Sequence, residues 1–379
     1  MLLGAAHSLN HSLFLVLPLF LLAIVNEFGT SREIVGFVSG ASLFIYGAGG
    51  IFGGRLSDRF GEVKTLTAGL ALSGASTFIF LVANDLTVFT IGLLFMATFT
   101  SVYHAIANSF ISKVFQRGMA EAMGIHGTGG NIGYMFAPII AVALGTIWGW
   151  RIPFLFFGIL SIIVSIFVLK WSPSTVRETG PEAKLWNIVG IPKLWTLIIF
   201  NITIGLFYKG VDFILPTFLG TKDLPPLIVG SALSAILAVG ILGQWMSGKA
   251  SDMWSSKKVL VVTSAGTALG LLCLIAVPMP VVGILLFIMI YGFSFYGHQP
   301  AFNALAGLIT PNNLRATVFG LLFFFSFGLG SVSTIIVGVF AERYSLELAL
   351  GVMTLFSFAA FLLSFLLPVR AKRSREQDK

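Results

Sequence analysis

Seven ionisable side chains lie well within long apolar runs of this sequence, His7, His11, His104, His126, His298, and the pair Lys209 and Asp212, with Glu27 at the border of the first run. Such groups are expensive within a membrane and mark sites of function or of polar contact between helices. His7 and His11 are four apart, so on a helix they share one face, about one turn from each other. There they can share a proton, and imidazole changes charge in response to modest changes in its surroundings. His11, deeper in its run, is the better candidate for proton coupling, while His7 also reads as a residue snorkelling to the membrane surface. His104 follows Tyr103, and His298 lies two positions after Tyr296. These two read either as matched contacts to a central ligand or as hydrogen-bonding glue between helices. His126, three residues before Gly129, reads as packing support.

Lys209 and Asp212 are three apart, beside Tyr208, and fall on one helix face. Two readings are open. In one, Asp212 takes a proton and frees Lys209 to hold an anionic substrate; in the other, the two charges neutralise each other permanently in a closed bundle. Asn10, Asn108, Asn131, Asn201, Gln299 and Asn303 add uncharged donors and acceptors at depth. Together these residues suit a small polar or amphipathic ligand.

The elements that position them follow from composition. Of 379 residues, 56% are hydrophobic and 10% charged, against about 25% charged in a soluble domain. At about 20 apolar residues per crossing, twelve crossings take roughly 240 residues and leave no room for extramembrane domains. Apolar runs occur at 2–26, 35–54, 65–83, 87–114, 119–147 and 152–170, then at 193–219, 226–248, 259–277, 281–309, 316–341 and 346–368. The expected fold is therefore an all-α membrane protein of twelve transmembrane helices in two six-helix halves, 1–170 and 193–368. A cytoplasmic linker, 171–192, joins the halves, and a basic tail, 369–379, follows the second. The first run is too long for a cleavable signal and has no basic leader, so it reads as the first spanning helix. The single cysteine, Cys273, excludes an intrachain disulfide and a thiolate metal site. No metal or cofactor is expected, and no catalytic constellation indicates an enzyme.

Of the 23 lysines and arginines, eighteen fall in the even-to-odd connections and the tail. Four, Arg32, Arg151, Lys222 and Arg343, fall on the opposite side, and Lys209 lies within a helix. Positive charge is retained on the cytoplasmic face, so both termini are expected there, in a multi-pass plasma (inner) membrane protein. The +8 net charge comes from this asymmetry, which points to anionic lipid headgroups rather than nucleic acid.

The segment Gly54-Arg55-Leu56-Ser57-Asp58-Arg59-Phe60-Gly61-Glu62-Val63-Lys64 recurs, with substitutions, from Gly248 through Asp252 to Lys258, an offset of 194 that also carries His104 onto His298. The halves are thus repeats of one another, an architecture that places the substrate site at the midplane between them. Gly54-x-Leu56-Ser57-Asp58-Arg59-x-Gly61-x-x-Lys64 resembles the helix 2 to 3 signature of the major facilitator superfamily. That resemblance implies that Asp58 docks against the start of helix 11, with Gly54, Arg59, Gly61 and the pseudo-equivalent Asp252 taking part in conformational gating. Asp58 also reads as a charge-balancing residue among Arg55, Arg59 and Lys64.

His7-Ser8-Leu9-Asn10 with Pro18 beyond, Ser101-Val102-Tyr103-His104, Gly129-Gly130-Asn131-Ile132-Gly133, Gly320 to Gly330 and Ser345-Leu346-Glu347-Leu348 look like fosmidomycin-resistance-type efflux proteins. The resemblance implies proton-driven drug export. Gly133-Tyr134-Met135-Phe136-Ala137-Pro138 resembles the helix 5 antiporter motif, with Ala137 where glycine is usual; Gly133 and Pro138 would serve close helix approach and bending. The chain departs from the family pattern at His11, where an acidic residue is frequent, at Ala105-Ile106, where Pro-Glu is frequent, and in lacking an arginine within helix 4.

The expected function is secondary active transport by alternating access, with proton-coupled efflux (antiport) of a small drug-like or anionic organic molecule by a monomer. Proton coupling would fall to His11, Asp212 and His7. Substrate binding would fall to Lys209, Tyr208, His104, Tyr103, His298, Asn108 and Gln299. Proton symport or uniport of an organic anion metabolite on the same scaffold is the first rival, and a non-transporting membrane sensor a remote one.

Overall fold

A computed structural model describes the backbone at residues 1–114, 119–173, 190–310 and 315–368; side chains at 54, 55, 58, 112, 113, 119–124 and 315–317 are outside the description as well. The regular elements of the described residues are all helical. Twelve helical segments are long and apolar enough to cross a membrane: α1 Leu2–Leu19, α2 Arg32–Gly53, α3 Glu62–Val82, α4 Leu86–Ile111, α5 Ile125–Trp148, α6 Arg151–Trp171, α7 Pro192–Gly220, α8 Pro226–Met253, α9 Ser256–Ala276, α10 Pro280–Ile309, α11 Val318–Arg343 and α12 Leu346–Ser364. Most of the linker, 174–189, and the tail from 369 lie outside the described residues.

Local chemistry sets where these helices begin. The side-chain oxygens of Ser31, Asp85, Ser255 and Ser345 accept from the backbone N–H three residues on, satisfying one of the donors a helix start leaves unpaired. Pro192, Pro226 and Pro280 occupy first-turn positions, where a missing N–H is harmless. Gly61, at φ 89°, ends the long helix Arg32–Phe60 in a backbone conformation that other residues rarely adopt.

Four helices expected to be continuous and regular are interrupted or distorted. The run at 2–26 breaks at Phe20, just after Pro18, whose ring removes a ladder hydrogen bond. The run at 87–114 splits into Leu86–Thr100 and Tyr103–Val114, and the split lies where α2 packs closest: a Cβ on Gly49 would overlap the Ser101 side chain. Spans α10 and α11 each contain a π-helical stretch, Phe287–Tyr291 and Phe324–Leu329.

Packing repeats between the halves. In the first, α1 packs on α5 and α6, α2 on α4, and α3 on α6; in the second, α7 packs on α11 and α12, α8 on α10, and α9 on α12. Between the halves α2 meets α11 and α5 meets α8, two contacts that the same repeat relates to each other. The α1–α5 seam is close because small residues face each other: a Cβ on Gly129 would stand 3.2 Å from Gly4 Cα, and one on Gly133 would overlap Ser8 Oγ.

At the lysine- and arginine-poor face the halves are joined by two ion pairs of opposite sense. Arg32 Nε donates to Glu342 Oε2 at 3.0 Å, and Arg343 Nη2 donates to Glu33 Oε1 at 2.9 Å. Beneath them Thr334 Oγ1 donates to the Gly36 carbonyl at 2.9 Å, and a Cβ on Gly36 would lie 2.5 Å from the Thr334 oxygen. On the same face, within the first half, Arg151 of α6 ties Glu27 to the end of α3, donating also to the Phe80 and Ala83 carbonyls. Hydrogen bonds from Arg151, with one from Trp150 Nε1, hold the Glu27 carboxyl below the usual carboxylate range.

Candidate transport site

Between the halves lies a cavity, partly open at its mouth. Spans α1, α2, α4 and α5 line it from the first half, α7 and α11 from the second. Its charged residues are Lys209 and Asp212, placed on one face of α7 by their three-residue spacing. Lys209 Nζ stands 3.7 Å from Asp212 Oδ2 and sits over two aromatic rings, Tyr208 at 4.0 Å and Phe327 at 4.1 Å from their centroids. Ring faces carry negative potential, so the ammonium is held by two rings and one carboxylate rather than by a single fixed counter-ion. Lys209 is nearly buried, whereas about a third of the Asp212 side chain is accessible. A molecule entering the cavity therefore meets the carboxylate and the aromatic walls first. Phe327 reaches Lys209 from the π-helical stretch of α11, a local widening of the helix of the kind frequent at functional sites.

Opposite, a buried polar chain fixes α1. Tyr46 donates its hydroxyl to Asn10 Oδ1 at 2.6 Å, and Asn10 Nδ2 donates to the Thr100 carbonyl at 3.0 Å. Thr100 closes the first half of the split α4, where carbonyls lose their intrahelical partners.

Four of the five histidines gather in the first half. His7 Nε2 lies 3.1 Å from His11 Nε2, and the His7 ring lies 5.0 Å from that of His104 and 4.6 Å, stacked, from that of His126. His11 faces the cavity, and its ring is 5.5 Å from Tyr134. His298 does not mirror His104: it is buried in the second half between Phe295 and Phe302, with Nδ1 against the Phe295 carbonyl. Tyr103 is buried and commits its hydroxyl to the Leu3 carbonyl at 2.5 Å. Asn108 is exposed and does not line the cavity. Gln299 instead accepts from Gln244 Nε2 at 3.0 Å, and Gln244 accepts from Asn131 at 2.8 Å, a polar chain that joins α5 to α8 and α10.

Of the residues expected to gate, the side chain of Asp58 and the surroundings of Gly54 are outside the description, as are the side chains of 315–317 at the start of helix 11, where Asp58 was expected to dock. Arg59 is exposed over Phe60, and Asp252 is exposed. Gly133 lies in the α1–α5 seam, and the Pro138 carbonyl would stand 3.1 Å from a Cβ on Gly230, at the α5–α8 contact. Sequence reasoning missed Tyr46, Tyr134, Phe327 and Gln244, and also the charge pairs of α2 and α11. The last had a signal, the complementary dipeptides Arg32-Glu33 and Glu342-Arg343 at connections on the same face.

A family model described as Major Facilitator Superfamily matches residues 2–334. The chain is similar to Multidrug resistance protein D of Escherichia coli, 27% identical over 149 residues, an overlap of 39% of this chain and 38% of that protein. It is also similar to the Gentisate transporter of Corynebacterium glutamicum, 24% identical over 337 residues, 83% of this chain and 73% of that one. The chain thus spans about two fifths of the first relative and about three quarters of the second. In fold it is similar to a bacterial homolog of the human lysosomal transporter Spinster, solved inward-facing and unoccupied, with a TM-score of 0.83 at 16% identity over 97% of this chain and 95% of that one.

Proposed function

The chain belongs to the Major Facilitator Superfamily, a family of transporters and not of enzymes, and from that footing we propose that it carries a small organic anion by alternating access, coupled to protons. The observation that carries this reading is the Lys209–Asp212 pair, set in an aromatic-walled cavity between the halves. While Asp212 is charged it holds Lys209; when Asp212 takes a proton, the ammonium is free for a carboxylate ligand, and Tyr208, Phe327 and Tyr134 offer rings to an aromatic body. Proton and anion then load together, which is the linkage of a symporter. The similarity to a gentisate transporter supports an aromatic carboxylate as substrate.

A second reading is export by antiport, the direction implied by the efflux resemblance and supported by the likeness to Multidrug resistance protein D. The same site serves it for a drug-like ligand that displaces the proton from Asp212. In either case the protein acts as a monomer in the cell membrane with both ends in the cytoplasm, as the eighteen lysines and arginines of one face support. The loop from Gly54 to Lys64, its copy around Asp252, and the Gly133 and Pro138 contacts of α5 are the moving parts.

The test is proton movement in proteoliposomes holding a pH-sensitive dye, under an imposed gradient, with hydroxybenzoates and then fosmidomycin added. Symport predicts protons and anion moving in the same direction, loss of both in Lys209→Met, and anion exchange without protons in Asp212→Asn. Opposite movement of protons and ligand selects antiport. Full proton coupling in Asp212→Asn overturns the assignment of the proton to this residue.

A further inference from the structure

The histidines of the first half have a geometry that the transport reading does not use. One ring nitrogen from each of His7, His11 and His104 lies within 4.8 Å of the others. A tetrahedral zinc site, with metal–nitrogen bonds of 2.0–2.1 Å, sets its ligand nitrogens about 3.3 Å apart. His7 Nε2 and His11 Nε2 already stand at 3.1 Å, and at most about 1.5 Å remains to be covered by side-chain rotation of His104.

A further observation points to a ligand here. His104 Nε2 is a buried polar atom without a hydrogen-bond partner, which is unusual unless something else occupies it. Room for the His7 ring exists only because residue 130 is glycine, since a Cβ there would stand 2.3 Å from His7 Nδ1. The donor set is entirely imidazole, which suits zinc, cobalt, nickel or copper and not magnesium or calcium. Lys209, the cation on the opposite wall, is balanced by Asp212.

We propose that His7, His11 and His104 bind one divalent transition-metal ion on the first half's side of the cavity. His11 lines the cavity, so a three-histidine set leaves the fourth coordination position facing it. His126, stacked on His7, orients that ring from behind. The site is independent of which solute is carried.

The test uses the full chain in detergent with its affinity tag removed and with Cys273→Ser, so that no thiolate contributes. Cobalt(II) is titrated and followed by visible absorption. One equivalent giving the intense bands of a tetrahedral site is expected, with His11→Ala and His104→Ala each weakening binding by more than the roughly 10- to 100-fold that follows loss of a mere supporting partner. No uptake beyond a detergent blank, or monodisperse variants that bind as the parent does, overturns the proposal. Should the variants aggregate, X-ray absorption of the zinc-loaded parent counts imidazoles directly: three or more support the site and fewer overturn it.

Discussion

The Tyr46 hydroxyl donates to Asn10 Oδ1 at 2.6 Å, linking α2 to α1 inside the bundle, and Asn10 in turn reaches the Thr100 carbonyl of α4. Tyr46→Phe keeps the ring but leaves a buried amide oxygen unpaired, at an expected loss of about 1–3 kcal/mol. Asn10→Leu combined with Tyr46→Phe should lose less than the two single variants together, because the unpaired atom disappears with its partner. Thermal unfolding in detergent measures both; strictly additive losses would show that the hydrogen bond carries no coupling.

The two ion pairs between α2 and α11 predict a charge-swap result. Glu342→Arg sets two arginines against each other and should shift the balance toward an open lysine- and arginine-poor face. Adding Arg32→Glu should restore it. Partly exposed pairs of this kind are worth about 0.2–1 kcal/mol, so the shift in the open-to-closed ratio should be about 1.4- to 5-fold. Spin-label distances across that face, read with and without the second substitution, check it.

Acid should release the Glu27 tether. Its folded-state carboxyl titrates below the ordinary value near 4.5, so the stabilisation is present above that value and is lost as pH falls through the lowered one. Glu27 is 40% exposed, which limits the effect to about 0.5 kcal/mol after solvent screening. A melting-temperature profile from pH 7 to 3 should be flatter in Glu27→Gln than in the parent, and parallel profiles would rule the tether out as its cause.

Gly205 predicts a packing penalty. A Cβ there would lie 2.3 Å from the Ser326 carbonyl oxygen, a backbone atom that cannot swing aside, whereas a Cβ on Gly351 meets nothing within 4 Å. Gly205→Ala should destabilise by about 1–3 kcal/mol, while Gly351→Ala should match or exceed the parent. Differential scanning fluorimetry of the two variants separates close α7–α11 packing from general intolerance to alanine.

The twelve spans were legible because bilayer thickness writes itself into run length, and the repeat was legible because its loop motif survives in both halves. The split of α4 at Ser101 was not, since it lies against the close approach of Gly49, fifty-two positions away. Helical spacing alone brought out His7 with His11 and Lys209 with Asp212. The repeat misled at His298, because matching register does not imply matching surroundings: the second half fills the space around that ring with Phe295 and Phe302. Arg32 and Glu342 are 310 positions apart and met only once both halves were folded.

Each half contributes one cation and one anion to the closure at the lysine- and arginine-poor face: Arg32 and Glu33 from one side, Arg343 and Glu342 from the other. Parting the halves there separates two opposed dipoles and carries no net charge through the membrane field. A potential of 100 mV acts on a moving elementary charge with about 2.3 kcal/mol, but on this pairing the opposing contributions cancel. Voltage therefore leaves the closure as it finds it, whereas added salt, by screening exposed pairs, loosens it.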